Sequence, residues 1–227
     1  MTLAFRMVNF TIKGITRTIC RVDDTELVRI PTHGPLILVG NHVNFLEAPI
    51  MMTHLQPRPI KALVKTETWD NPILGLLFKL WNSIPIRRGE ADMDAFRASM
   101  QCLQEGNILA VAPEGTRSGH GRLLQGQPGI VLLAVKSGAP ILPVVYYGGE
   151  VFWKNIQSFT RTPFTIRVGR PFTLKNFPPS PSKEIREKIT GEIMYQMATL
   201  LPERYRGHYS DMEKASTDYL DFNTNLL

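Results

Sequence analysis

The sequence predicts a single α/β domain built on a mostly parallel sheet flanked by helices, with an amphipathic helix in front of it. Short runs rich in Ile, Leu and Val alternate with segments of helical periodicity, and strand and helix in alternation imply right-handed βαβ crossovers. Gly and Pro stand at the junctions, where the chain must turn. The 227 residues are 43% apolar and 20% charged, which fits one globular core and excludes a disordered, collagenous or coiled-coil chain.

Taken in order, Met1 to Val22 carries Arg6, Lys13, Arg17 and Arg21 and no acidic residue, while Phe5, Val8, Ile12, Ile15 and Ile19 recur every three or four positions. That is an amphipathic helix with a basic flank. Such a helix suits the interface of an anionic membrane, and periodicity alone fits a terminal helix packed on the domain equally well. A signal peptide is disfavoured, because Arg6, Lys13 and Arg17 interrupt any apolar stretch. Pro35 to Gly40, Ile60 to Lys65, Ile84 to Arg87, Ile108 to Val111, Ile141 to Val145 and Phe164 to Val168 read as strands. Pro49, tolerated in a helix's first turn, places a helix start near Leu46 or Glu47. Met93, Phe96, Met100 and Leu103 form one helix face that Gly106 stops, and Pro128 opens a helix that ends at Gly138. That helix is apolar nearly all round, so it is either buried or membrane-facing. A last helix runs from Ser182 to Leu201 after the Pro-rich Phe177 to Pro181. These elements divide the chain into residues 1–22, the N-terminal helix; 23–202, the main domain; and 203–227, a mildly acidic polar tail expected on the surface with weak order.

The net charge of +6 implies an anionic partner: nucleic acid, membrane phospholipid or a phosphorylated small molecule. No basic-aromatic motif accompanies the charge, which argues against nucleic acid. The longest charge-free stretch, Ile30 to Leu46, contains Pro, His, Gly and Asn, so no transmembrane run is expected. Cys20 and Cys102 have no spaced companions and form neither a disulfide framework nor a metal pattern, which fits a reducing, cytoplasmic compartment. No metal or cofactor is expected.

Three polar clusters fall at carboxyl ends of strands: Asn41-His42, Arg87-Arg88-Gly89, and Pro113-Glu114-Gly115-Thr116-Arg117-Ser118. In an open α/β sheet those ends share one edge, so residues distant in sequence should converge there. His42 with Glu47 five residues on can form a base held by a carboxylate at a helix N-terminus, or Glu47 can simply cap the helix. His208 and Glu213 repeat the spacing without a preceding strand and read as solvated surface. Glu114 to Arg117 can make a plain βα turn, or can grip a phosphate through backbone N–H groups, the Thr116 hydroxyl and the Arg117 guanidinium.

Together these residues resemble the PlsC-type glycerophosphate and lysophospholipid acyltransferases. Asn41-His42 followed by Glu47 matches that family's NHX4D block. Ile84-Pro-Ile-Arg-Arg88-Gly89 matches its second block, Ala112-Pro-Glu-Gly-Thr-Arg-Ser118 its FPEGTRS block, and Ala139-Pro-Ile-Leu-Pro143-Val144 its fourth. The blocks occur in the family's order over about residues 36–148. The chain departs in having Glu47 for the usual Asp, Asn44 where Ser is common and Ala112 where Phe is common.

The resemblance implies an O-acyltransferase. His42 would be the general base, oriented by Glu47, on the free hydroxyl of a lysophospholipid, above all 1-acylglycerol 3-phosphate. Acyl-CoA or acyl carrier protein would be the co-substrate donor. Arg88, Glu114, Gly115, Thr116 and Arg117 would hold the acceptor, with Lys65 a weaker candidate. No G-x-S-x-G elbow occurs, which disfavours a serine hydrolase. Other acceptors remain open, namely glycerol 3-phosphate or a lyso-lipid without phosphate, as does a non-catalytic lipid-binding module. The expected location is the cytoplasmic face of a membrane, peripheral or monotopic, with residues 1–22 as an anchor whose deletion leaves the fold intact.

Overall fold

The computed structural model describes residues 2–175 and 180–223. Helix α1 (Leu3–Ile19) leads directly into strand β1 (Cys20–Asp23). Then come β2 (Leu36–Val39), α2 (Glu47–His54), β3 (Ile60–Lys65), α3 (Pro72–Leu80), β4 (Ile84–Ile86), α4 (Met93–Gln104) and β5 (Ile108–Val111). The second half contains α5 (Gly129–Ser137), β6 (Ile141–Tyr147), α6 (Phe152–Gln157), β7 (Thr162–Val168), β8 (Thr173–Leu174), α7 (Lys183–Leu200) and β9 (Leu220–Asp221). Seven strands form one sheet in the order β1-β7-β6-β2-β5-β3-β4. The five from β6 to β4 run parallel, and β7 lies antiparallel to β6 with β1 parallel to β7. Most of the Pro-rich connector at Phe177–Pro181 lies outside the described residues.

Alternation along the strands divides the core between the two faces. Ile37, Val39, Leu109 and Val145 point to the face covered by α4, α5 and α7. Leu36, Leu38, Ile108 and Val144 point to the face covered by α1, α2, α3 and α6. Helix α5 belongs to the first layer: Ile130, Val131, Leu133 and Ala134 are buried, which resolves the choice between core and membrane in favour of the core. Its end is as expected, with Gly138 in the left-handed conformation. Among the described residues no helix is long and apolar enough to cross a membrane.

Helix α1 is half core and half surface. Phe5, Ile12 and Ile19 pack on the second apolar layer, and Asn9 and Thr16 on the same side are buried. Thr16 Oγ1 lies 3.2 Å from His54 Nε2, and His54 Nδ1 lies 2.8 Å from Asp24 Oδ2, so a buried imidazole clamps α1 to the end of α2. Ile15 instead faces outward with Leu3, Met7 and Phe10. The helix also stops three residues short of Val22, because Cys20–Asp23 pairs with Thr162–Thr165 as the edge of the sheet. Removing residues 1–22 would therefore strip an edge strand and part of the core, and the expectation that the fold survives this deletion is corrected.

The C-terminal segment is corrected as well. Tyr205, Tyr209 and Leu220 are buried in the first layer, and β9 pairs with β8. The buried Glu192 carboxylate accepts from the Ser216 hydroxyl and from the Asp218 and Tyr219 amides at 2.7–2.9 Å. The polar composition hid these anchors because only every few residues is apolar, and no regular period announces them. His208 and Glu213 are exposed, as expected.

The segment braces one loop in particular. Leu123 exchanges backbone hydrogen bonds with Tyr205 and His208, and the Gly126 amide donates to Tyr209 Oη at 3.0 Å. Gly207 makes this possible: its φ is +53°, and a Cβ there would stand 2.3 Å from the Leu123 carbonyl oxygen. Gly207→Ala should destabilise the protein by about 2 kcal/mol or more, from the left-handed backbone and the clash with Leu123 together, lowering Tm by roughly 4–8 °C or more in thermal unfolding.

Candidate active site

The β6–β2–β5–β3–β4 strands end on one edge, and the three polar clusters meet there. Gly40 N–H donates to the Val111 carbonyl at 3.0 Å, extending the β2–β5 ladder as far as the polar residues. Asn41 then fastens the β2 end to β6. Its Nδ2 donates to the Tyr146 carbonyl and its Oδ1 accepts from the Tyr146 amide, both at 2.8 Å. His42 follows on a loop fixed from the other side, where Ser118 N–H donates to the His42 carbonyl at 2.8 Å and Gly119 N–H to the Val43 carbonyl at 2.9 Å.

The histidine and its acid are in contact. His42 Nδ1 lies 3.1 Å from Glu47 Oε2, with the imidazole about one-fifth exposed and the carboxylate nearly buried. Glu47 is the first residue of α2, where the helix dipole favours its negative charge. Both its oxygens also lie 3.1 Å from the Asn44 amide. The extra methylene relative to Asp is thus taken up by folding the carboxylate back over residues 44–47, and the hydrogen bond to the ring is kept. Asn44 is itself fixed, donating to the Gly149 carbonyl and accepting from the Leu46 amide, each at 2.8 Å. With Glu47 accepting from Nδ1–H, Nε2 is left as the basic nitrogen for a substrate proton.

Glu114 does a different job from the one expected of it. It is buried, and its two oxygens accept from the His42 amide at 2.9 Å and the Leu124 amide at 2.8 Å. The carboxyl organises the two loops and is not free to bind an acceptor. Burial pushes its pKa up to about 7, helped by the nearby Glu47 charge and opposed by the two amide donors.

The cations lie across the edge. Arg88 is exposed; partial desolvation and then the like charge of Arg117 lower its pKa, and Glu67 pulls the other way. Two neighbouring guanidinium groups thus face the same region. Arg87 is committed elsewhere, 3.4 Å from Asp92. Lys65 is on the surface in an ion pair with Glu67 at 2.8 Å, which ties it to the edge of this cluster. Gly115, with φ of +69°, turns the chain so that Thr116 and Arg117 stand exposed beside the His42 loop.

Next to this turn is a cavity of about 340 Å³. Arg88 and Gly115 line it on the polar side, and Leu63, Phe96, Ile130 and Leu133 line its apolar part. Periodicity marks one apolar side of α4 and an α5 apolar nearly all round, and the space left between them is a matter of packing that no local pattern reveals. Asn41 and Asn44 were also missed as site-builders. The one available signal was an amide side chain at a strand end, where backbone groups run out of ladder partners.

The fold and the paired histidine and carboxylate beside two arginines define a class. Residues 21–147, which carry all of these groups, match the Acyltransferase family, and the chain belongs to that family. Over 146 residues it is 34% identical to a 1-acyl-sn-glycerol-3-phosphate acyltransferase of Limnanthes alba, covering 63% of this chain and 49% of that one. It is 23% identical over 171 residues to the enzyme of the same name from Bacillus subtilis (strain 168), covering 75% of this chain and 83% of that one. With the same-named enzyme of Pseudomonas aeruginosa it shares 25% identity over 199 residues, 85% of this chain and 76% of that one. The chain thus spans about half the length of the Limnanthes relative. Among solved structures, the 1-acyl-sn-glycerophosphate acyltransferase PlsC from Thermotoga maritima has the same fold. The TM-score is 0.58 at 23% identity, over 84% of this chain and 78% of that one.

The elevated Glu114 pKa has a measurable consequence. A carboxyl whose folded pKa of about 7 exceeds its ordinary 4.5 favours the folded state fully below 4.5, and this contribution is lost as pH rises to about 7. In urea titrations, the stability of wild type relative to Glu114→Gln should therefore fall between pH 5 and 8; a constant difference would contradict it.

Proposed function

We propose that the protein transfers a fatty acyl group from a thioester donor, acyl-CoA or acyl carrier protein, to the free hydroxyl of 1-acylglycerol 3-phosphate, giving phosphatidic acid. The observation that carries the reading is the His42–Glu47 hydrogen bond set at the same sheet edge as Arg88 and Arg117. His42 Nε2 takes the proton of the acceptor hydroxyl as its oxygen attacks the thioester carbonyl carbon. The C–S bond breaks as the tetrahedral adduct collapses, and the departing thiolate is protonated by the imidazolium. Glu47 stabilises that imidazolium and keeps the ring in the tautomer that presents Nε2. No acyl-enzyme is required, and the two cysteines are buried.

Arg88 and Arg117 suit the acceptor's phosphate, since forked guanidinium donors match its oxygens. Thr116 and the Gly115 turn border the same space. The apolar cavity between α4 and α5 suits the acyl chain, with its polar end at Arg88 and Gly115. The names of the relatives support the phosphate-bearing acceptor. The outward stripe Leu3, Met7 and Phe10 on α1, with Arg6 and Lys13 beside it, supports peripheral docking on an anionic membrane.

His42→Ala should lower turnover by about 10²–10⁴, the usual contribution of a positioned base. Glu47→Gln, which keeps the shape and removes the charge, should cost at least about tenfold; a Glu47→Gln protein of full activity would remove Glu47 from the mechanism. Arg88→Ala and Arg117→Ala should each raise KM for 1-acylglycerol 3-phosphate and leave KM for monoacylglycerol little changed. Equal effects on both acceptors would dissociate the arginines from the phosphate.

A further inference from the structure

A second groove lies away from the catalytic edge, between α1 and the end of α2, with a volume of about 470 Å³. Arg6, Asn9 and Lys13 enter it from α1 at spacings of three and four, so they share one side of the helix. Gln56 closes it from beyond α2, and Phe5 and Phe10 supply apolar walls. Neither Arg6 nor Lys13 has an ion-pair partner among the described residues.

The two amides are more informative than the cations. Asn9 is 6% exposed, and its Oδ1 accepts from the Trp81 indole N–H at 2.8 Å. An indole nitrogen only donates, so the Asn9 amide cannot be turned over, and its buried Nδ2 is left with no partner. Gln56 Nε2 donates to the Met52 carbonyl at 2.9 Å. A carbonyl only accepts, so this orientation is fixed as well, and the buried Gln56 Oε1 has no partner. Buried polar atoms are nearly always satisfied in folded proteins. Both amides therefore line one groove, each with one covered polar atom unsatisfied, beside two cations that have no ion-pair partner among the described residues.

We infer that this groove binds the headgroup of an anionic phospholipid that bears a hydroxyl. The phosphate oxygens accept from Asn9 Nδ2, Arg6 and Lys13, and the hydroxyl donates to Gln56 Oε1. A lipid is favoured over a free phosphate ester by the surroundings. The Asn9–Trp81 bond sets the end of α3 against α1, and both helices expose large apolar side chains, Leu3, Met7 and Phe10 on one, Ile73 and Leu76 on the other. The site rests on the proposed docking of α1 against lipid and is independent of the catalytic reading. It would turn general attraction to negative charge into recognition of a particular headgroup.

The test uses the full chain and phosphatidylcholine vesicles doped equally with phosphatidylglycerol or with phosphatidylmethanol. The two anions have the same charge and differ in the headgroup hydroxyls. Wild type should sediment with phosphatidylglycerol vesicles at least about threefold more strongly, the value of one net hydrogen bond. Gln56→Met, or Gln56→Ala if the first variant melts early, should bring phosphatidylglycerol binding down to the phosphatidylmethanol level. Arg6→Gln with Lys13→Gln should weaken binding to both, and by more than the equal charge change Arg21→Gln with Arg122→Gln. Equal wild-type binding to both lipids, or a preference that survives at Gln56 variants, overturns the headgroup site and leaves docking intact. Binding to neither overturns docking and the site together. Saturable binding of soluble glycerol 3-phosphate with the same Gln56 dependence overturns the assignment to lipid.

Discussion

Two loops, one after β2 and one after β5, form the candidate site of this protein, and a single buried carboxylate holds them in register. Glu114 accepts from the His42 amide with one oxygen and from the Leu124 amide with the other. One side chain can reach both amides only where the two loops lie side by side, which requires β2 and β5 to be neighbours. The Leu36–Ile108 register supplies that. Around this bond the other constraints fall into place: Asn41 ties the same loop to β6, Ser118 and Gly119 donate back to it, and the C-terminal turns at Tyr205 and His208 brace Leu123. The carboxyl's elevated pKa is the mark of that enclosure, since burial disfavours the charge that the amides favour.

The His42–Glu47 pair works within this frame. Glutamate at the first helical position of α2 meets three demands together: the dipole, the Asn44 amide and the imidazole. An aspartate reaches the ring with a shorter arm, and here the longer one bends back without losing the 3.1 Å contact. The loop hydrogen bonds to Asn44 fix where the Glu47 carboxylate meets the ring.

Helix α1 shows how one segment serves two solvents. Its inner side completes the core and is clamped by His54 and Asp24, while its outer side presents Leu3, Met7 and Phe10. A helix seated this firmly presents its outer stripe in a fixed orientation, so that docking on a surface would also orient the domain. The sheet edge carrying His42 and the inner face of α1 are linked through α2, whose first residue is Glu47 and whose last is His54.

Much of this was legible in the sequence, for physical reasons that act locally. Short apolar runs gave β2, β3, β4, β5 and most of β6 and β7, and Gly106, Pro128 and Gly138 marked helix ends. The polar clusters could be placed at strand ends, and a parallel sheet sends those ends to one edge. What local patterns do not contain is pairing. Whether Cys20–Asp23 continues a helix or joins an edge strand depends on Thr162–Thr165 being beside it. Likewise, the tail is anchored by isolated residues, Tyr205, Tyr209 and Leu220, with no period to reveal them. Glu114 read as an acceptor-binding residue through the family resemblance of its block; only the approach of the His42 and Leu124 amides turns its carboxylate inward. The sequence by itself determined the chemistry available at the sheet edge, because residue types and strand ends are local properties. The tertiary structure decided which groups stand open at that edge and which hold the others in place, because hydrogen-bond partners more than 70 residues apart are set by the packing of the sheet.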